Sequence, residues 1–164
     1  MKLEENNVLQ LKETDLRKGL QTAENIGRFE LLQKAPLVVI DGAHNKDGAR
    51  VSVEAINTYF GADSKTLIVL GFLRDKDYDS MINYFMTVTN NFIVTQPVSE
   101  RSLPAEDLGK EIRGRGGSCT VIADIEEAYE EAVKMSSDYD LVFFAGSIYL
   151  IGDIRKIFQK KGWK

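Results

Sequence analysis

Apolar residues in this chain recur as short, largely β-branched runs, each followed by a turn and then by a stretch with helical spacing. Five runs stand out: Leu37–Ile40, Leu67–Leu70, Phe92–Val94, Thr120–Ile122 and Leu141–Phe144. Several are apolar at every position, the pattern of strands covered on both faces in a parallel sheet. Between them the spacing changes to three and four. Ala49, Val53, Ile56 and Phe60 mark a helix from Asp47 to Phe60, and Met81, Ile82, Phe85 and Val88 mark the next. Pro104 suits the first turn of a helix reaching about Arg113. Asp124 suits the N-cap of a helix from Ile125 to Met135. A last helix, from about Ile148 to Gln159, ends in basic residues, as the helix dipole favours.

Strands alternating with helices of this length predict an α/β domain with a mostly parallel sheet and helices on both faces, three layers in a Rossmann-like arrangement. Phe29–Leu32 stands only a few residues before the Leu37 run, room for a hairpin and not for a crossover. It is therefore expected as an antiparallel edge strand, the sixth of the sheet. Residues 1–25 read as a polar leader with a short helical piece from Thr14 to Ala23, and 26–164 as the domain.

Composition narrows the function. The 164 residues are 43% hydrophobic and 28% charged, enough for one core without staples. Only three prolines occur, and no biased polar run suggests disorder. A net charge of -4 is a poor match to a nucleic-acid backbone. One cysteine, Cys119, excludes an internal disulfide framework, and one histidine, His44, excludes a multi-histidine metal site. No apolar run approaches the roughly 18 residues of a membrane span, and MKLEENNVLQ is not a signal-peptide start, so a soluble cytoplasmic domain is expected.

Ligands of open parallel sheets bind beyond the carboxyl ends of the strands. The residues there are Asp41-Gly42-Ala43-His44-Asn45, Gly71 to Asp77, Thr95-Gln96-Pro97, Asp124 and Gly146-Ser147. Asp41 could accept from ribose hydroxyls and His44 could donate to a phosphate or carboxylate. Lys76 supplies a cation, and Ser147 stands where a helix N-terminus offers free N–H groups to an anion. Each also has a structural alternative: Asp41 as a helix cap, His44 as a turn residue, Asp77 and Ser147 as N-caps, and Gly114 to Gly117 as a helix-to-strand turn. Cys119 reads as a small core residue. No Gly-x-x-x-x-Gly-Lys-Ser/Thr motif cradles a triphosphate, and no Ser-His-acid or Cys-His constellation has usable spacing.

Longer strings of residues carry a resemblance. Gly27-Arg28-Phe29-Glu30, Pro36, Val39-Ile40-Asp41-Gly42-Ala43-His44-Asn45, Leu70 to Asp77 and Ala145 to Gly152 follow one another in order. In this combination the chain resembles, over roughly residues 14–158, the C-terminal domain of folylpolyglutamate synthase and dihydrofolate synthase, within the Mur ligase superfamily. The resemblance implies an ATP-dependent ligase. A substrate carboxylate is activated as an acyl phosphate, and the amine of L-glutamate attacks it, with folate as acceptor. It also implies missing partners: an N-terminal domain and a central domain that holds the P-loop and Mg2+, without which this domain is inactive.

By the same resemblance Arg28 reaches the ATP phosphates on closure, and Asp41 lies near the ribose. His44, the catalytic candidate, faces the reacting centre with Asn45 beside it. Lys76 and Ser147 hold the incoming glutamate. Two departures stand out: Asn25-Ile26 where the family usually has Trp-Pro, and Arg74 within a stretch that is often small or apolar. The competing expectations are a peptidoglycan-type Mur ligase domain and a free-standing nucleotide-binding module, which would bind nucleotide without partner domains.

Overall fold

A computed structural model describes residues 25–161 of the chain. The short helix expected at Thr14 to Ala23, and Trp163, lie outside the described residues. The elements are β1 (Glu30–Lys34), β2 (Leu37–Asp41), α1 (Lys46–Phe60), β3 (Thr66–Leu70), α2 (Tyr78–Phe85), β4 (Asn91–Val94), α3 (Ala105–Gly114), β5 (Ser118–Val121), α4 (Ile125–Met135), β6 (Leu141–Ala145) and α5 (Ile148–Lys161).

They form a six-stranded sheet in the order β1-β2-β6-β3-β4-β5. All neighbours are parallel except β1 and β2, which pair as the expected antiparallel hairpin through Lys34 and Leu37. The fully apolar runs take the middle: every residue of β3 and of β6 is buried. Such strands need cover on both faces. One core packs Ala49, Val53 and Ile56 of α1, Met81, Ile82 and Phe85 of α2, and Leu108 and Ile112 of α3 against one face. A second packs Tyr129 and Ala132 of α4 and Leu150, Ile151 and Ile154 of α5 against the other. Adjacent residues of β6 serve both sides. The Phe143 ring lies 5.7 Å from that of Phe29 and 6.3 Å from that of Phe85, whereas Phe144 stacks at 5.7 Å on Tyr129.

Several boundaries differ from the sequence expectation. The strand expected at Thr120–Ile122 begins two residues earlier, where Ser118 N–H donates to Asn90 and opens the ladder with β4. It is an edge strand with alternating burial, so its apolar run is a poor guide to its extent. The second helix stops at Phe85, not Val88. Thr87 and Val88 donate to carbonyls three residues back, a tightened last turn that still packs Val88 on the core. Pro104 occupies the N-cap of α3 and not its first turn. Cys119 is half-buried at the edge of the core, and burial pushes its thiol up to about 11. Among the described residues, no helix is long and apolar enough to cross a membrane.

Strand order places the site. The β2–α1–β3 crossover skips a place in the sheet, and β6 returns from the far edge to fill it. The carboxyl ends of β2, β6 and β3 therefore lie side by side, with Asp41 and Leu70 both in register with Ala145. The connections after them converge on one surface.

Candidate functional site

Beyond β2 the chain is held by its own backbone and by Asp41. One carboxylate oxygen of Asp41 accepts from Ala43 N–H at 2.7 Å, and the other accepts from Phe29 N–H at 3.0 Å. Gly42 N–H donates to Gly27 at 2.7 Å. Asp41 thus clasps the Gly27-Arg28-Phe29 turn to the end of β2. In that turn Gly27 and Phe29 both take positive φ, 69° and 45°. Glu30 completes the clasp: it accepts from Gly27 N–H at 2.7 Å and from the Arg155 guanidinium at 3.0 Å, which docks α5 against the turn. The Arg28 side chain projects from this anchored segment. Burial, the largest influence, pushes the Asp41 carboxyl above its ordinary value, against the lowering effect of the two N–H donors and the Arg28 charge.

The next residues divide labour. His44 Nδ1 lies 2.9 Å from the carbonyl of Gly42; a carbonyl only accepts, so Nδ1 carries the hydrogen and Nε2 is the free ring nitrogen. Asn45 caps α1, its side-chain oxygen accepting from Gly48 N–H at 2.8 Å. The cap role considered for Asp41 therefore belongs to Asn45.

Beyond β6, Gly146 adopts φ 112°, and a Cβ there would stand 2.7 Å from the Phe72 ring and 2.8 Å from the Gly71 carbonyl. Only glycine fits this close approach of two strand-end loops. It delivers Ser147 to the start of α5, where Oγ accepts from Tyr149 N–H at 3.2 Å and keeps its own hydrogen free to donate. The cap reading of Ser147 is thereby realised without consuming its hydroxyl proton. Asp77 caps α2 through Ser80 N–H, as the structural alternative had it.

The six sequence-derived candidates fall into two adjoining clefts that share one residue. Arg28, Asp41, His44 and Asn45 line a cleft of about 490 Å³ against the first turn of α1. His44, Lys76 and Ser147 line a second of about 240 Å³. His44 stands in both. The first joins a cation to a helix N-terminus, a surface suited to phosphate. The second gathers a cation, a hydroxyl and a ring nitrogen, groups suited to a small carboxylate-bearing molecule. Thr95, Gln96, Pro97 and Asp124 line neither cleft. Two residues of the site were not singled out in the sequence: Arg101, in the second cleft, and Glu30, which pins the turn that carries Arg28. Arg101 lies several residues beyond the end of β4, outside the reach of a strand-end search.

With this geometry in hand, the comparisons are decisive. The glutamate ligase domain of the Mur ligases matches residues 27–148. The chain belongs to this family. Among its relatives, the dihydrofolate synthase/folylpolyglutamate synthase of Bacillus subtilis is 31% identical over 156 residues, 94% of this chain and 35% of the relative. The folylpolyglutamate synthase of Lacticaseibacillus casei is 29% identical over 147 residues, 87% of this chain and 32% of the relative. The glutamate ligase domain superposes on the structure of Mycobacterium tuberculosis folylpolyglutamate synthase, complexed with ADP and AMPPCP, with a TM-score of 0.83 at 27% identity over 91% of the chain. The superposition covers 36% of that structure, so this Mur ligase domain spans about a third of the proteins it matches.

Proposed function

We propose that this chain is the C-terminal domain of an ATP-dependent cytoplasmic ligase that adds L-glutamate to folate through an acyl phosphate. It closes over a central ATP-binding domain and is inactive by itself. The observation that carries this reading is the pair of clefts meeting at His44, one lined by Arg28 and the α1 N-terminus and one by Lys76 and Ser147, which suit a phosphate and a small carboxylate. Between them lies the place where a phosphoryl group and an attacking amine would meet. Its folate-synthase relatives favour the folate branch over a peptidoglycan ligase or a free-standing nucleotide binder.

In this mechanism ATP transfers its γ-phosphoryl to the folate side-chain carboxylate, leaving ADP. The glutamate amine attacks the acyl carbon, the bond to phosphate oxygen breaks, and the amine sheds a proton. Arg28, held by the Asp41 and Glu30 clasp, neutralises charge on the transferring phosphoryl group, and His44, its ring fixed by the Gly42 carbonyl, turns Nε2 to the reacting centre. Asp41, buried at the turn, borders the ribose. Asn45 has its oxygen committed to Gly48 and offers only its amide N–H groups to the nucleotide. Lys76 and Ser147 orient the glutamate nucleophile, and fixing it beside the acyl phosphate converts a bimolecular encounter into a local one. A divalent cation would shield the phosphates. The resemblance to the folylpolyglutamate synthases assigns that cation to the central domain.

The test is glutamate- and ATP-dependent elongation of a folate by the intact ligase that carries this chain. Arg28→Ala should lower kcat by about 10²-fold, the scale of losing one preorganised charge at a developing oxyanion. Normal turnover in that variant would remove Arg28 from the chemistry. An intact enzyme that elongates no folate would refute the assignment.

A further inference from the structure

The 240 Å³ cleft holds a second cation besides Lys76, and it is Arg101. Three observations show that its position is built. The loop after β3 and the loop after β4 are sewn together: Leu73 bridges Ser102, Leu103 N–H donates to Phe72 at 2.9 Å, and Arg74 N–H donates to Arg101 at 2.8 Å. The Arg74 guanidinium donates to the Ser102 carbonyl through Nε at 3.3 Å and Nη2 at 3.1 Å. Finally, Ser102 Oγ, buried, donates to the Pro97 carbonyl and closes the second loop. Arg74, the residue that departs from the family's small or apolar stretch, is thus the tie that places Arg101 in the cleft with Lys76.

Asp75 sits between the two cations. It accepts from Arg101 Nη2 at 2.6 Å and lies 4.0 Å from Lys76 Nζ. Both partners in the arginine pair are about half exposed, 55% and 46%, so the pair is weak and exchangeable. A guanidinium has five donors in a fixed fork, and among the described residues only one of those of Arg101 is engaged. Asp75 therefore holds the place of a carboxylate that the cleft can accept.

We propose that Arg101 is a specificity residue for the incoming amino acid. It takes the second carboxylate of a dicarboxylic amino acid, while Lys76 and Ser147 take the first, so the cleft selects an acidic amino acid over its amide. The assignment of the ligand as glutamate rests on the ligase reading; the two-carboxylate requirement rests on the presence of two cations in the cleft and the weak, exchangeable hold of Asp75 on Arg101.

The experiment is a nuclear magnetic resonance titration of the 164-residue chain with L-glutamate, L-glutamine and sulfate, reading the Arg101 Nε–Hε and Lys76 amide signals. L-glutamate should move both signals and bind about tenfold more tightly than L-glutamine, the scale of one lost charge-assisted pair. Arg101→Gln, checked for an unchanged spectrum elsewhere, should bind the two amino acids alike, and Arg101→Lys should recover part of the preference. Equal binding of glutamate and glutamine by the unaltered chain, retained preference in Arg101→Gln, a sulfate response as strong as that to glutamate, or no saturable glutamate binding would each overturn the proposal. Folate elongation by the intact enzyme is read separately, so failure of the ligase reading and failure of the Arg101 assignment give different results.

Discussion

At the scale of single residues, Asp41 carries the most tension. It is buried, yet its carboxylate anchors the turn from which Arg28 reaches out. Burial dominates and raises its pKa above the ordinary 3.8. An acid shifted upward keeps a proton in the folded state that the unfolded chain has already released. Its contribution to stability is full below 3.8 and is lost as pH climbs through the raised folded value. Asp41→Asn removes that titration, so the stability of the natural chain relative to the variant should fall as pH rises past 3.8. Urea unfolding of both proteins across a pH series reads this directly; a difference that grows with pH would contradict it.

Among the elements, the glycines at strand ends and helix ends make a sharp contrast. Gly146 has φ 112° and no room for a Cβ against Phe72 and Gly71. Gly114, the last residue of α3, has nothing within 4 Å and an ordinary helical φ. Gly146→Ala should cost about 2–5 kcal/mol from backbone strain and overpacking together. Gly114→Ala should be neutral or stabilising by up to about 1 kcal/mol, since alanine restricts the unfolded chain. Thermal melts of the two variants check the pair, and an unaffected Gly146→Ala would mean that the loops are not locked as described. The same contrast explains what the sequence made legible. Continuous apolar runs marked β2, β3, β4 and β6, because a strand covered on both faces has no polar position to confuse the pattern. The polar-leaning edge strand β5, with Ser118 and Thr120 outward, was misplaced by two residues for the opposite reason. Arg28, which precedes β1, came only from its surrounding motif, whereas the strand-end rule pointed to Asp41, His44, Lys76 and Ser147. It missed Arg101, which reaches the cleft through a tertiary tie from Arg74 that no local pattern encodes.

For the whole molecule, the proposed ligase function turns on a second domain. The cleft proposed to take phosphate offers Arg28, His44 and the α1 N-terminus, but it is an open surface. A triphosphate bound there would lose its freedom and part of its hydration for a few exposed contacts, too little to offset the cost of association. Affinity should instead arise when a second domain closes over the nucleotide and removes water from the same charges. Calorimetric titration of the chain with ATP and Mg2+ should therefore show no binding tighter than roughly 1 mM, with Asp41→Ala indistinguishable from the natural chain. In the intact ligase the same substitution should raise the KM for ATP, because the clasp that presents Arg28 is gone. Micromolar binding by the chain alone, lost in Asp41→Ala, would give the opposite picture: a free-standing nucleotide module whose cleft is complete without partners. The two outcomes differ by about three powers of ten in affinity, or roughly 4 kcal/mol. That gap is wide enough for one titration to decide.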